Sequence, residues 1–168
     1  MTRMSDVDLV RIVKDMPIPV PWDRDVFVQR VSKLRGREIV LIPVDTATLV
    51  DSPCGLWLRR ETDDLLLYAA GTSDYHIDQI VCHEVGHMVL GHSQLLSYRA
   101  DHDDTAELCG SLLPDLDPET VNAILARDGY SDDQEHDAES FASRLMVAAA
   151  ESADARSTLR SVFLRKRA

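Results

Sequence analysis

The chain begins with two stretches in which apolar residues return every three or four positions, the spacing of a helix with one buried face. In residues 5–15 the repeat is Leu9, Ile12 and Val13, with Met16 following. Ser5 precedes it and Asp8 stands three places on, a capping box with aspartate in place of glutamate. Pro17, Pro19 and Pro21 cannot continue a helix and predict an extended link. Residues 23–35 repeat the pattern with Val26, Phe27, Val31 and Leu34 inward and Gly36 at the stop position. The period then changes. Residues 38–43 are a continuous apolar run rich in branched side chains, which predicts a central strand. Ser52, Pro53, Cys54 and Gly55 predict a turn, residues 56–60 a strand, 61–64 a polar hairpin turn and 65–69 the returning strand.

Helical spacing resumes with Ile77, Ile80, Val81, Val85, Met88 and Val89. Ser73 is the N-cap, Asp74 and Asp78 sit near the positive end of the dipole, and Gly91 suits the stop. The pattern decays over 93–117, where Leu95, Leu96, Leu112 and Leu113 are the candidate anchors to the core. Asp117, Pro118 and Glu119 open a short helix to Arg127, with proline at its first position. Ser131 and Gln134 form a second capping box. The helix they start runs to 150, with Glu135, Ala138, Glu139, Ala142 and Met146 on one face and Phe141, Leu145 and Ala148 beside it. Residues 152–167 predict a last helix with Leu159, Val162 and Phe163 inward and basic residues at its negative pole. These elements predict one α+β domain across 1–168. It has N-terminal helices in 1–36, a small sheet in 37–70, a central helix in 73–91 and a long helix in 131–150.

A formal net charge of −11 argues against nucleic acid and anionic membrane as direct partners. Three cysteines, Cys54, Cys82 and Cys109, cannot all pair within one chain, and their scatter points to a reducing compartment. No apolar run is long enough to span a bilayer, and no apolar signal segment stands at the start. The expectation is a cytoplasmic protein.

The central helix carries His83-Glu84-Val85-Gly86-His87. Residues four apart on a helix share a face, so both imidazoles can meet one ion, and zinc takes imidazole nitrogens at about 2.0–2.1 Å. Glu84 then stands beside the ion, where a general base for its water belongs. The bland alternative is three polar residues on an ordinary helix, but such groups are costly in a core unless something binds them. A catalytic site needs a third protein ligand. A third histidine in the pattern His-Glu-x-x-His-x-x-Gly-x-x-His is not available: Leu90 and Ser93 hold those places, with Gly91 and His92 each off by one. Glu135, in the first turn of a capped helix, is the first choice, and Glu107 is its rival. Glu139, one turn on, could accept a proton from a ligand histidine. Tyr75, His92, Tyr98 and His102 are candidates for oxyanion or substrate contacts. Cys54 could cap zinc as a thiolate, though a cysteine beside proline and glycine is more often a turn residue.

Two blocks resemble the ImmA/IrrE family of metallopeptidases. The stretch from Ile80 to His92 is similar to the family's AHELGHLLLH. The stretch from Glu135 to Met146 is similar to its E-x-E-A-N/D-x-F-A-A-x-L-L-M-P. Glu139 replaces the family's Asn or Asp, Val147 replaces its closing proline, and the spacer between the blocks is long. The resemblance implies a zincin-like fold with the sheet packed on a helical body. It also implies His83, His87 and Glu135 as ligands to zinc, or to manganese or another divalent metal. The implied activity is an endopeptidase that cleaves or inactivates a helix-turn-helix repressor, its protein partner. Two alternatives stand beside it: a metal-binding module that docks to a repressor without proteolysis, and a metal-dependent phosphohydrolase using His92, His102 and Asp103.

Overall fold

The computed structural model describes residues 3–44, 55–92, 95–96, 127–128 and 130–164, the last stretch with its side chains to residue 155. Helix α1, Asp6–Lys14, starts where the Ser5 hydroxyl accepts from the Asp8 N–H at 3.2 Å. Helix α2, Arg24–Arg35, starts where the Asp23 carboxylate accepts from the Val26 N–H at 2.9 Å, and Gly36 ends it at φ 65°. On α2 the inward residues are Phe27, Val28 and Val31; Leu34, expected inside, is 62% exposed. The helix meets the body over a narrow stripe that its last turn overruns.

Strands β1 (Glu38–Val44), β2 (Gly55–Arg59) and β3 (Asp63–Ala69) form a sheet in the order β1-β3-β2. β1 runs parallel to β3, with Ile42 opposite Leu67. β2 pairs antiparallel with β3, with Trp57 opposite Leu66. The central strand is therefore β3, and β1, expected there, is an edge. Their burial agrees: β3 buries Asp64, Leu65, Leu66, Leu67 and Ala69, whereas β1 buries only Ile39 and Val44.

Helix α3, Asp74–Val89, begins at Ser73, whose side chain accepts from the His76 N–H. It packs on β2 and β3 with one face and on the second long helix with the other. That is why Ile77, Ile80, Val81, Cys82, Val85 and Met88 are all buried. A two-residue pair, β4 (Leu95–Leu96) with β5 (Arg127–Asp128), is antiparallel. Arg127 thus lies in a strand and not at the end of a helix; the rest of that predicted helix is outside the described residues. Helix α4, Asp132–Leu164, starts with the expected box: the Gln134 side chain accepts from the Ser131 N–H at 3.1 Å, and the Ser131 hydroxyl accepts from the Gln134 N–H at 3.4 Å. It runs 33 residues without the break expected near 150. Ser152 does not cap a new helix there, because its hydroxyl donates to the Ala148 carbonyl at 2.8 Å inside the old one. The molecule is thus mixed α+β, with α3 between sheet and α4, α2 against β1 and α1 against α4. No helix among the described residues is long and apolar enough to cross a membrane.

Two buried polar ties hold the layers. Asp78 was expected to act on the helix dipole. Instead it accepts from Trp22 Nε1 at 2.8 Å and Arg24 Nε at 2.7 Å, pinning the start of α2 to α3. Asp64, fully buried in β3, accepts from Arg35 Nη1 at 2.5 Å and Arg37 Nε at 3.2 Å. Removing one partner of a buried pair leaves the other charge uncompensated. Both guanidiniums keep some solvent contact, which softens that cost. Asp64→Ala should therefore lower unfolding stability by about 3 kcal/mol, read as a lower urea midpoint, with Asp64→Asn intermediate.

Candidate metal centre

The site forms where α3 and α4 cross closely. A Cβ on Gly86 would lie 3.0 Å from Phe141 Cδ1 and 3.3 Å from the Ala138 backbone, so a side chain there would push the neighbours at the crossing back by a few tenths of an ångström. Ala138 lies one turn beyond Glu135, and the contact therefore sets Glu135 against the histidine face of α3. The Nε2 atoms of His83 and His87 are 2.9 Å apart. Glu135 Oε2 is 3.2 Å from His83 Nε2 and 3.8 Å from His87 Nε2. Donors held at about 2.0–2.1 Å around a tetrahedral ion lie roughly 3.3–3.4 Å from one another. The three separations bracket that spacing, and the side chains could hold a metal ion.

His87 is fully buried, His83 is a quarter exposed and Glu135 is half exposed, so the cluster opens to one side. The opening is a cleft of about 670 Å³ bounded by α3, α4 and the start of β2. Glu84 lines it and is 5% exposed. Burial, reinforced by the charge of Glu135, pushes the Glu84 carboxyl up to about 8, while the Trp57 backbone N–H aimed at it pulls the other way. Burial and the neighbouring His83 and His92 rings hold His87 neutral, down to about 2. Burial also lowers His83, opposed by Glu135 and Glu139. Each group is thus held in its uncharged state by lack of solvent, the condition that a bound cation relieves.

The other candidates fall in several places. Glu139 is exposed on the cleft wall and acts on His83 as a nearby charge; it does not orient a ligand ring as expected. Tyr75 is 61% exposed, accepts from Gln79 at 3.4 Å and does not line the cleft. His92 is 5% exposed, with its Nδ1 3.0 Å from His87 Nδ1, on the far side of that ring from the cluster. It therefore does not face an oxyanion in the cleft. Cys54, Tyr98, His102, Asp103, Glu107 and Cys109 lie outside the described residues. Cys82 is buried, and burial raises its thiol far above the ordinary range.

Comparison with family models, curated proteins and solved structures returned no match.

Several residues at the site carried no signal that reading the chain could isolate. Tyr130 stacks on His87, with ring centroids 3.5 Å apart and planes 12° from parallel. His76 and Gln79 line the cleft beside His83; helical spacing from His83 could have shown His76. Gly55 was legible only as a turn residue, yet a Cβ there would lie 2.5 Å from Ile80 Cγ2 and 2.9 Å from Glu84 Oε1. The bare backbone of β2 is what lets strand and carboxylate meet. Gly55→Ala should cost about 1–3 kcal/mol by overpacking, read as a lower denaturant midpoint. For the three ligands, zinc at a thousandfold excess over Kd should stabilise the chain by about 4 kcal/mol. The rise in thermal midpoint should vanish in Glu135→Ala and His87→Ala.

Proposed function

We propose that the chain is a zinc-dependent metallo-endopeptidase of the zincin-like class, as the resemblance to the ImmA/IrrE family implies. The observation that supports it most is a division of labour among four side chains. Three donors from two helices converge, and a fourth, Glu84, is buried beside them and faces the cleft without joining the shell. Two imidazoles and one carboxylate are the donor set of a catalytic zinc with an open position. A divalent cation held by His83, His87 and Glu135 would supply Lewis-acid polarisation of a water and of a peptide carbonyl.

The chain's own residues account for the rest. Glu84 takes a proton from the attacking water and returns it to the leaving amine, a task open to it once a bound cation counters the Glu135 charge that raises its carboxyl. The Trp57 N–H fixes the Glu84 carboxylate against β2, and Gly55 leaves space for it. β2 pairs only with β3 among the described residues, and no described strand covers its outer edge, where the Trp57 N–H meets Glu84 beside the cleft. A peptide in extended form can add to such an edge through main-chain hydrogen bonds. Gln79 and His76 extend the polar floor of the cleft along α3 toward substrate residues further from the bond cut.

The proposed substrate is a helix-turn-helix repressor, whose basic surface would complement a chain of net charge −11. The test is co-incubation with a purified candidate helix-turn-helix repressor, followed by mass analysis of fragments. Glu84→Gln should keep wild-type zinc stoichiometry and lose cleavage by roughly 10²–10⁴-fold. Intact regulation in cells carrying Glu84→Gln would favour docking without proteolysis. Phosphatase activity surviving His83→Ala would overturn the reading.

A further inference from the structure

His87 has two ring nitrogens, and they face different partners. Nε2 faces His83 and Glu135; Nδ1 faces His92 Nδ1 at 3.0 Å. At that distance one proton lies between the two Nδ1 atoms. If His92 donates it, neutral His87 carries its own proton on Nε2, which then points into the ligand cluster and blocks it. If His87 donates it, Nε2 keeps a free lone pair. The position of His92 therefore decides whether His87 is a ligand.

The chain builds this contact with a bent helix end. Gly91 sits at φ 68°, a conformation that other residues adopt at a cost. It turns the backbone so that the His92 N–H donates to the His87 carbonyl at 3.0 Å, folding the second ring under the first. Tyr130 stacked on His87 closes one face, so that ring has little freedom to flip. Asp137 on α4, 3% exposed, acts on His92 as a nearby charge. Its Oδ2 accepts from the Met4 N–H at 2.9 Å, and its Oδ1 has no hydrogen-bond partner among the described residues. Burial lowers the basicity of His92, and the Asp137 charge opposes that effect. A nearby negative charge favours the His92 tautomer whose N–H lies on the nitrogen not engaged with His87, which is Nε2, and so leaves Nδ1 as the acceptor.

We propose that His92, backed by Asp137, is a positioning residue that holds His87 in its Nδ1–H tautomer and so presents the Nε2 lone pair to the metal. The effect on metal rests on the function proposed above; the tautomer stands without it. The role is distinct from that of the three ligands, since His92 never touches the cation.

The experiment uses the full chain, metal-free, with nitrogen-15 in its histidines, at a pH where both rings are neutral. Long-range proton–nitrogen correlation assigns the tautomer of each ring. Wild type should show His87 as a single Nδ1–H form. His92→Leu should show a mixture or the Nε2–H form, and His92→Asn, whose amide oxygen can accept in place of Nδ1, should restore the wild-type pattern. Zinc affinity, measured by competition with a chromophoric chelator, should fall roughly 10–100-fold in His92→Leu and recover in His92→Asn. Asp137→Asn gives the same spectroscopic test should His92→Leu fail to fold, with a partial shift expected. Wild-type His87 in the Nε2–H form overturns the proposal, as does a His87 spectrum unchanged in both His92→Leu and Asp137→Asn. A wild-type Nδ1–H signal in a chain that takes up no zinc supports the tautomer assignment and overturns the metal reading alone.

Discussion

Lone pairs that face one another inside a protein need a positive charge between them. That constraint governs this molecule. Two imidazole nitrogens 2.9 Å apart and a carboxylate oxygen within 3.8 Å of both cannot satisfy one another as three acceptors. An Nε2–H on one neutral ring can satisfy one such contact, but burial disfavours the second proton that would make either ring a donor at both nitrogens. Solvent could serve His83 and Glu135, which are partly exposed, but not His87, which is fully buried. A cation relieves all three at once, and it also offsets the charge of Glu135 on Glu84.

The constraint reaches back into the fold through small residues. The cluster exists only if α3 and α4 approach closely, and Gly86 against Ala138 permits that approach. The capped start of α4 then places Glu135 in its first turn, where the Ser131–Gln134 box fixes the backbone that carries it. On the opposite side Gly55 lets β2 come down on Ile80 and Glu84. Far from the cluster, Asp64 with its two arginines and Asp78 with Trp22 and Arg24 hold sheet, α2 and α3 in register. A site of this kind needs ligands held to within a fraction of an ångström, and rigid helices serve that better than loops.

What could be read from the chain follows a physical division. Local periodicity and caps gave away α1, α2, α3 and the start of α4, since those signals are written within a few residues of where they act. The pair His83 and His87, four apart, needed nothing beyond the helix. Glu135 depended on a crossing that only Gly86 and Ala138 encode, and small residues say little until their neighbours are known. Strand order was less legible. The apolar run of β1 resembles a central strand, but pairing is decided by which strand closes the hairpin with β2, and β3 does. Ser152 looked like a start signal because a hydroxyl bonded back within its own helix leaves no trace in the pattern. His92 was set aside for missing an extended motif by one position. The glycine before it turned out to redirect the chain, so that the off-register histidine meets His87 from behind.

On the proposed function, the same geometry would tie acid–base chemistry to peptide binding. Glu84 meets the Trp57 N–H, and Trp57 belongs to a strand whose outer edge no described strand covers. A chain segment lying along that edge would cover the cleft and exclude water from Glu84, which strengthens each electrostatic interaction at the carboxyl. The base is thus tied to β2 itself, and its environment depends on what β2 is paired with. An isolated glutamate on a helix surface would stay solvated whether or not a peptide was bound. Glu84 has its proton affinity set by burial, by the Glu135 charge and by the Trp57 N–H of β2, so on the proposed function occupancy of the strand edge would bear on the readiness of the base.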